Sequence, residues 1–88
     1  MIEKEAVIVN SLGLHARPAA QIVRLASTFN AEITVAKDGV AVNAKSIMGV
    51  MMLAAECGSS ITITADGADA EPAAAALSAL VAQGFGET

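Results

Sequence analysis

Eighty-eight residues amount to one small domain, and 55% hydrophobic against 16% charged residues excludes a disordered or solvating segment. A formal net charge of −4 argues against nucleic acid as a partner, and no run approaches the roughly 20 apolar residues of a membrane span. One cysteine and one histidine leave no disulfide framework and no metal site built from those residues, so no metal or cofactor is expected.

The chain opens Met1-Ile2-Glu3-Lys4-Glu5, without the basic-then-apolar layout of a secretory signal, which makes the cytoplasm the expected location. Ala6 to Val9 is a β-branched apolar run that reads as a strand, ended by the loop Asn10-Ser11-Leu12-Gly13. From Ala16 the period changes to that of a helix. Ala19, Ile22, Val23, Ala26 and Phe29 form its apolar stripe, and Arg17, Gln21, Arg24 and Thr28 take the other side. Pro18 falls in the first turn, where a missing N–H costs nothing. Ile33 and Val35 alternate with Thr34 and Ala36, the turn Lys37-Asp38-Gly39 follows, and Val40 and Val42 resume the alternation as a hairpin. Ser46 reads as the N-cap of a short helix, Ile47 to Leu53, with Gly58 near its exit.

Cys57 reads as a small buried hydrophobe without a function. Ile61 to Thr64 is a half-buried strand. Asp69 is placed to cap a last helix whose buried stripe is Ala73, Ala76, Leu77, Leu80 and Val81, with Gly84 just past its end. The order strand, helix, strand, strand, helix, strand, helix (βαββαβα) predicts one α+β domain over residues 1–88, with helices on one face of an antiparallel sheet.

One segment departs from packing logic: Gly13-Leu14-His15-Ala16-Arg17-Pro18 puts the only histidine at the entrance to a helix, two residues before an arginine. A helix start offers unpaired N–H groups and a partial positive charge, which together attract anions. The same field opposes a second positive charge and so favours a neutral, nucleophilic imidazole. Arg17 adds a planar donor fork suited to phosphoryl oxygens, and Gly13 lets the backbone turn ahead of the helix. An imidazole, an anion nest and an arginine can accept a phosphoryl group and hold it. The blander alternative is a polar loop histidine beside a solvated arginine. Metal binding and general-base catalysis rank lower, because nothing else nearby supplies ligands or an orienting carboxylate.

The second feature is the Ser46 helix, where Ile47, Met48, Met51 and Met52 fall on both sides of a short element. Either it is a Met-rich core helix, or its methionines form an adaptable surface. Lys45, Arg17 and Arg24 are three of the five basic residues. They could ring such an apolar patch, the pattern of a docking face for acidic proteins. Ser46 is ordinarily just a cap, yet a phosphate there would suit the helix start and reverse the local charge.

Asn10-Ser11-Leu12-Gly13-Leu14-His15-Ala16-Arg17-Pro18-Ala19-Ala20 resembles the active-site signature of the HPr family, the histidine-containing phosphocarriers of the bacterial phosphoenolpyruvate-dependent phosphotransferase system. Lys45-Ser46-Ile47-Met48-Gly49-Val50-Met51 resembles that family's serine-site segment at the family's separation. The resemblance spans essentially the whole chain. It implies an open-faced β-sandwich, a four-stranded antiparallel sheet covered on one face by three helices. It implies a carrier rather than an enzyme, in which enzyme I phosphorylates His15 on Nδ1 and His15 passes the group to an enzyme IIA domain in sugar uptake. Arg17 would assist, and backbone amides around Ala16 and Arg17 would cradle the phosphoryl group. Leu12, Ala16, Arg17, Ala20, Arg24, Ile47, Met48, Met51 and Met52 would form the docking face. Ser46 would be the regulatory site of the HPr kinase/phosphorylase, and a carrier that shows one face to successive partners is expected to be a monomer.

Ser27, Gly49, Met51 and Ala54 depart from many members and make kinase recognition less secure than His15 chemistry. The alanine richness and the wording around His15 also resemble the nitrogen-regulatory branch, NPr. A regulatory adaptor acting through Ser46, with His15 vestigial, is the reading from a different class; a small-molecule binding module is weaker, since no Gly-rich nucleotide loop is present.

Overall fold

The structure is a computed structural model and describes residues 1–87; Thr88, the last residue of the expected domain, lies outside them. Four strands, β1 (Ile2–Val7), β2 (Glu32–Lys37), β3 (Val40–Asn43) and β4 (Ser60–Asp66), form one antiparallel sheet in the order β1-β4-β2-β3. Three helices, α1 (Ala16–Ala26), α2 (Ile47–Met52) and α3 (Ala70–Ala82), complete the expected order, and a 3₁₀ turn at Gly84–Gly86 follows. This is the α+β, open-faced arrangement that the element order and the resemblance both implied.

Period-two alternation decides which face of the sheet is covered. Ala6, Ile33, Val35, Ile61, Ile63 and Ala65 are buried beneath the helices, with register pairs such as Ala6↔Ile61 and Val35↔Ile63. Opposing them are Ala19, Ile22 and Ala26 of α1, Val50 of α2, and Ala73, Ala74, Leu77 and Val81 of α3. Each fully buried Ile, Leu or Val contributes about 1.5–3 kcal/mol. Asp38 and Gly39, both at positive φ, make the β2–β3 turn, as a tight hairpin requires.

Several boundaries differ from expectation for identifiable reasons. The first strand begins at Ile2 rather than Ala6, because pairing with β4 (Glu3↔Thr64, Lys4↔Ile63) overrides the poor strand propensity of Glu-Lys-Glu. Helix α1 stops at Ala26, and Phe29 packs against the core from the turn beyond it. Asp69 occupies the cap position of α3 without capping it. Its carboxylate accepts from the Asn30 amide (2.7 Å) and ties the loop before β2 to the helix start.

Helix α2 is left through Ala54, at φ +49°, while Gly58 lies further on, its amide on the Ile8 carbonyl (2.7 Å). Cys57 is exposed rather than buried, because Ala55 takes the inward position of that loop.

Candidate functional site

His15 stands at the junction of a braced loop and α1. The Gly13 amide donates to the Asn10 carbonyl (3.1 Å), and the Asn10 side-chain Nδ2 donates back to the Gly13 carbonyl (2.8 Å), closing the loop on itself. Gly13 has φ +69°, and a Cβ there would collide with the Ala55 carbonyl oxygen, so glycine is required on both counts. That same oxygen accepts from the Leu14 amide (2.9 Å), and the Leu14 side chain is buried. The loop is thereby pinned to the segment after α2 immediately before His15.

His15 is the N-cap residue of α1, in extended conformation, and its side chain makes no capping bond. Its carbonyl accepts the first helical bond, from the Ala19 amide (3.0 Å). Pro18 has no N–H, so the donors that the helix start leaves open are the amides of Ala16 and Arg17. Arg17 and Arg24 are exposed on the same helix and make no ion pair among the described residues.

The imidazole has a partner that the sequence did not announce. His15 Nε2 lies 2.8 Å from Glu87 Oε2, with the histidine side chain 36% and the glutamate side chain 15% exposed. The other carboxylate oxygen, Oε1, accepts from Asn10 Nδ2 (3.0 Å). The Asn10 amide cannot be turned the other way, because its oxygen would then face two acceptors. Asn10 is itself buried, with Oδ1 unpaired among the described residues. The Asn10 bond, opposed by desolvation and aided by His15 and by the charge of Arg17, holds the Glu87 carboxyl below the ordinary 4.5. An orienting carboxylate is thus present after all, from 72 residues away.

Two depressions lie in this region, and only the first is lined by His15 itself. A cleft of about 440 Å³ includes Leu12, His15 and Cys57, and an open groove of about 730 Å³ runs from Arg17 past Arg24 to Phe85 and Glu87. Arg17 and Glu87 thus line the same groove.

Helix α2 packs beside α1, and its chemistry differs. The Ser46 hydroxyl accepts from the Gly49 amide (3.1 Å) and caps the helix as expected. A Cβ at position 49 would crowd Ser46 Oγ and Val42 Cβ at 3.3 Å, so Gly49 leaves room for the cap. Only Val50 of the six helical residues is buried. Ile47, Met48, Met51 and Met52 are exposed, as is Leu12, which decides for a surface helix over a core one. Ala16 is exposed and Ala20 half-buried on α1. Lys45 is exposed and tethered, its ammonium donating to the Phe29 carbonyl (3.1 Å), which keeps its charge and fixes its position beyond the end of α1.

Sequence reasoning singled out His15, Arg17 and Ser46; it did not single out Asn10, Glu87 or Gln21, whose hydrogen bonds hold the surroundings of His15. The only signal for Glu87 was an aromatic between two glycines past the last helix, Gly84-Phe85-Gly86, which allows the chain to turn back.

A family model described as the PTS HPr component phosphorylation site matches residues 2–83. The chain is 48% identical over 87 residues to the phosphocarrier protein HPr of Cupriavidus necator, covering 99% of this chain and 98% of that one. It is 45% identical over 87 residues to the phosphocarrier protein HPr of Treponema pallidum, covering 99% of each. The crystal structure of HPr-C-His from Thermoanaerobacter tengcongensis superposes with a TM-score of 0.95 at 48% identity, covering 100% of this chain and 99% of that one.

Proposed function

This chain belongs to the HPr family of phosphocarriers of the phosphotransferase system, and from that premise we propose that His15 is the residue that carries the phosphoryl group. Nδ1 of His15 attacks the phosphorus held on phosphorylated enzyme I. A new N–P bond forms as the donor's bond to phosphorus breaks, its electron pair returning to the donor. The group then leaves His15 for an enzyme IIA domain by the same displacement in reverse. The amides of Ala16 and Arg17 receive phosphoryl oxygens at the helix start, and the Arg17 guanidinium neutralises charge on them as the group moves.

The observation that carries this reading is the placement of His15 as an N-cap residue that does not cap. Its ring is left for other work, beside two donors that no helical carbonyl occupies. We read residues 1–88 as one carrier domain acting in the cytoplasm as a monomer, in sugar uptake. Leu12, Ala16, Arg17, Ala20, Arg24, Ile47, Met48, Met51 and Met52 form the face presented to both partners, apolar in the middle and basic at Arg17 and Arg24. Ser46 is the regulatory position, acted on by a serine kinase of the HPr kinase/phosphorylase type. A phosphate there keeps the helix cap satisfied while it places about two negative charges within a face that meets acidic proteins.

The test is incubation with phosphoenolpyruvate and a bacterial enzyme I, followed by intact-mass analysis before and after brief acid treatment. One added phosphoryl group, lost in acid and absent from His15→Ala, is the expected result. No added mass, with Ser46 still modified by ATP and the kinase, would overturn the carrier reading in favour of a regulatory adaptor.

A further inference from the structure

Three of the chain's four methionines, Met48, Met51 and Met52, fall within five residues, and all three lie on α2. Met48 is 76% exposed, Met52 74% and Met51 42%. None of them holds the helix in place. That work is done by the Ser46 cap on the Gly49 amide and by Val50, the one residue of α2 that reaches the core. The methionines therefore serve a surface and not the packing. An exposed thioether adapts its shape as other apolar side chains do not, and it also has a chemistry that Leu or Ile lacks: a peroxide converts it to a sulfoxide. The remaining sulfur atoms lie elsewhere. Met1 precedes β1, its amino group 3.8 Å from Asp66, and Cys57 lines the cleft that includes His15.

We propose that Met48, Met51 and Met52 form a reversible oxidation site, at which a peroxide switches off docking of the carrier and leaves His15 and the fold intact. The proposal rests on the reading of α2 as part of the docking face. The thioether sulfur attacks one peroxide oxygen and the O–O bond breaks. That oxygen stays on sulfur, and the other leaves in water. Sulfur gives up an electron pair and the peroxide takes it. The product is a polar S=O group that accepts hydrogen bonds and donates none, standing where the surface was apolar. Acidic partners bring carboxylates to this face, which are acceptors as well, so docking strips the sulfoxide of water without supplying a donor. All four methionines are exposed, so the added oxygens do not enter the core. Methionine sulfoxide reductases reverse the change, taking the oxygen into water as a pair of thiols becomes a disulfide. The same short helix thus receives a charge at its start through Ser46 and polarity along its exposed side through its sulfur atoms.

The experiment exposes the full chain to hydrogen peroxide, removes the excess with catalase, and locates the added oxygens by intact mass and peptide mapping. Phosphorylation by enzyme I and phosphoenolpyruvate then gives kcat and KM, each protein being compared with itself before peroxide. The wild type is run beside Cys57→Ser and the combined variant Met48→Leu, Met51→Leu, Met52→Leu. In the wild type and in Cys57→Ser, KM rises about tenfold or more and kcat stays within about twofold, because unsatisfied polar groups enter the docking face and not the histidine site. The melting temperature stays the same, and the reductases with a thiol restore KM. The combined leucine variant holds its own starting KM through the treatment. Oxidised α2 with an unchanged KM would overturn the proposal, as would a response that persists in the leucine variant or vanishes in Cys57→Ser. A fall in melting temperature together with the rise in KM would overturn it too, by making the oxidation an unfolding event. Met48→Asp, left unoxidised, tells the two readings apart. If it raises KM and the sulfoxides do not, the oxidation site alone fails; if neither does, the docking face fails with it.

Discussion

The two ends of the proposed working face are built on opposite principles. Around His15, long-range hydrogen bonds hold the loop and the ring: Asn10 to Gly13 and Glu87, Leu14 to Ala55, the imidazole to Glu87. Around Ser46, a six-residue helix is held by one cap and one buried side chain, and four apolar side chains stand free, with Met48 and Met52 about three-quarters exposed. Displacement at phosphorus requires a nucleophile placed to within a fraction of an ångström, whereas recognition of several partners requires side chains that can repack. The chain spends long-range contacts where geometry matters and leaves flexible methionines where tolerance does.

The contrast predicts that equally small changes act differently at the two ends. Gly13→Ala should act most strongly. It adds a Cβ that meets the Ala55 carbonyl and forces alanine to a positive φ, so it should cost about 2–4 kcal/mol of stability, read by urea denaturation. A cost below about 1 kcal/mol would mean the loop is not braced as described. Asn10→Ala comes next, at about 1–3 kcal/mol, because it strips a donor from the Gly13 carbonyl and from Glu87. It should also speed exchange of the His15 Nε2 proton, read by NMR, which a purely structural loss elsewhere would not do.

Ser46→Asp should reverse the pattern. Aspartate caps as well as serine, so stability should stay within about 0.5 kcal/mol, while KM for phosphorylation by enzyme I should rise about tenfold from the charge introduced into the face. Unchanged kinetics would sink the gating role of Ser46.

The smallest effect concerns pH. Glu87 titrates below 4.5 in the folded chain, so it binds a proton less readily folded than unfolded. Its stabilising contribution is therefore complete above that value and is lost as the pH falls through the folded pKa. Urea midpoints measured from neutral into acid pH should fall less steeply for Glu87→Gln than for the wild type, and parallel curves would remove Glu87 from the acid response.

Much of the site could be read because its information is local. The Ser46 cap lies three residues from the amide it accepts, Pro18 and the following stripe mark the start of α1, and Gly13 announces the turn before His15. The failures share a cause as well. Asp69 was placed correctly but spends its carboxylate on Asn30, 39 residues away, and Lys45 reaches back to Phe29. Cys57 looked like a core residue by type, yet its loop turns Ala55 inward instead. Nothing within a few residues of these positions encodes such choices.

By itself, then, the sequence determined the element order, the buried faces of sheet and helices, and the histidine at a helix start, because periodicity and capping act over three or four residues. Only the tertiary structure decided that β4 lies between β1 and β2, that α2 shows its methionines to solvent, and that Glu87 reaches the imidazole. Those are contacts between segments tens of residues apart, selected by how one shared core can close, and no local pattern specifies them.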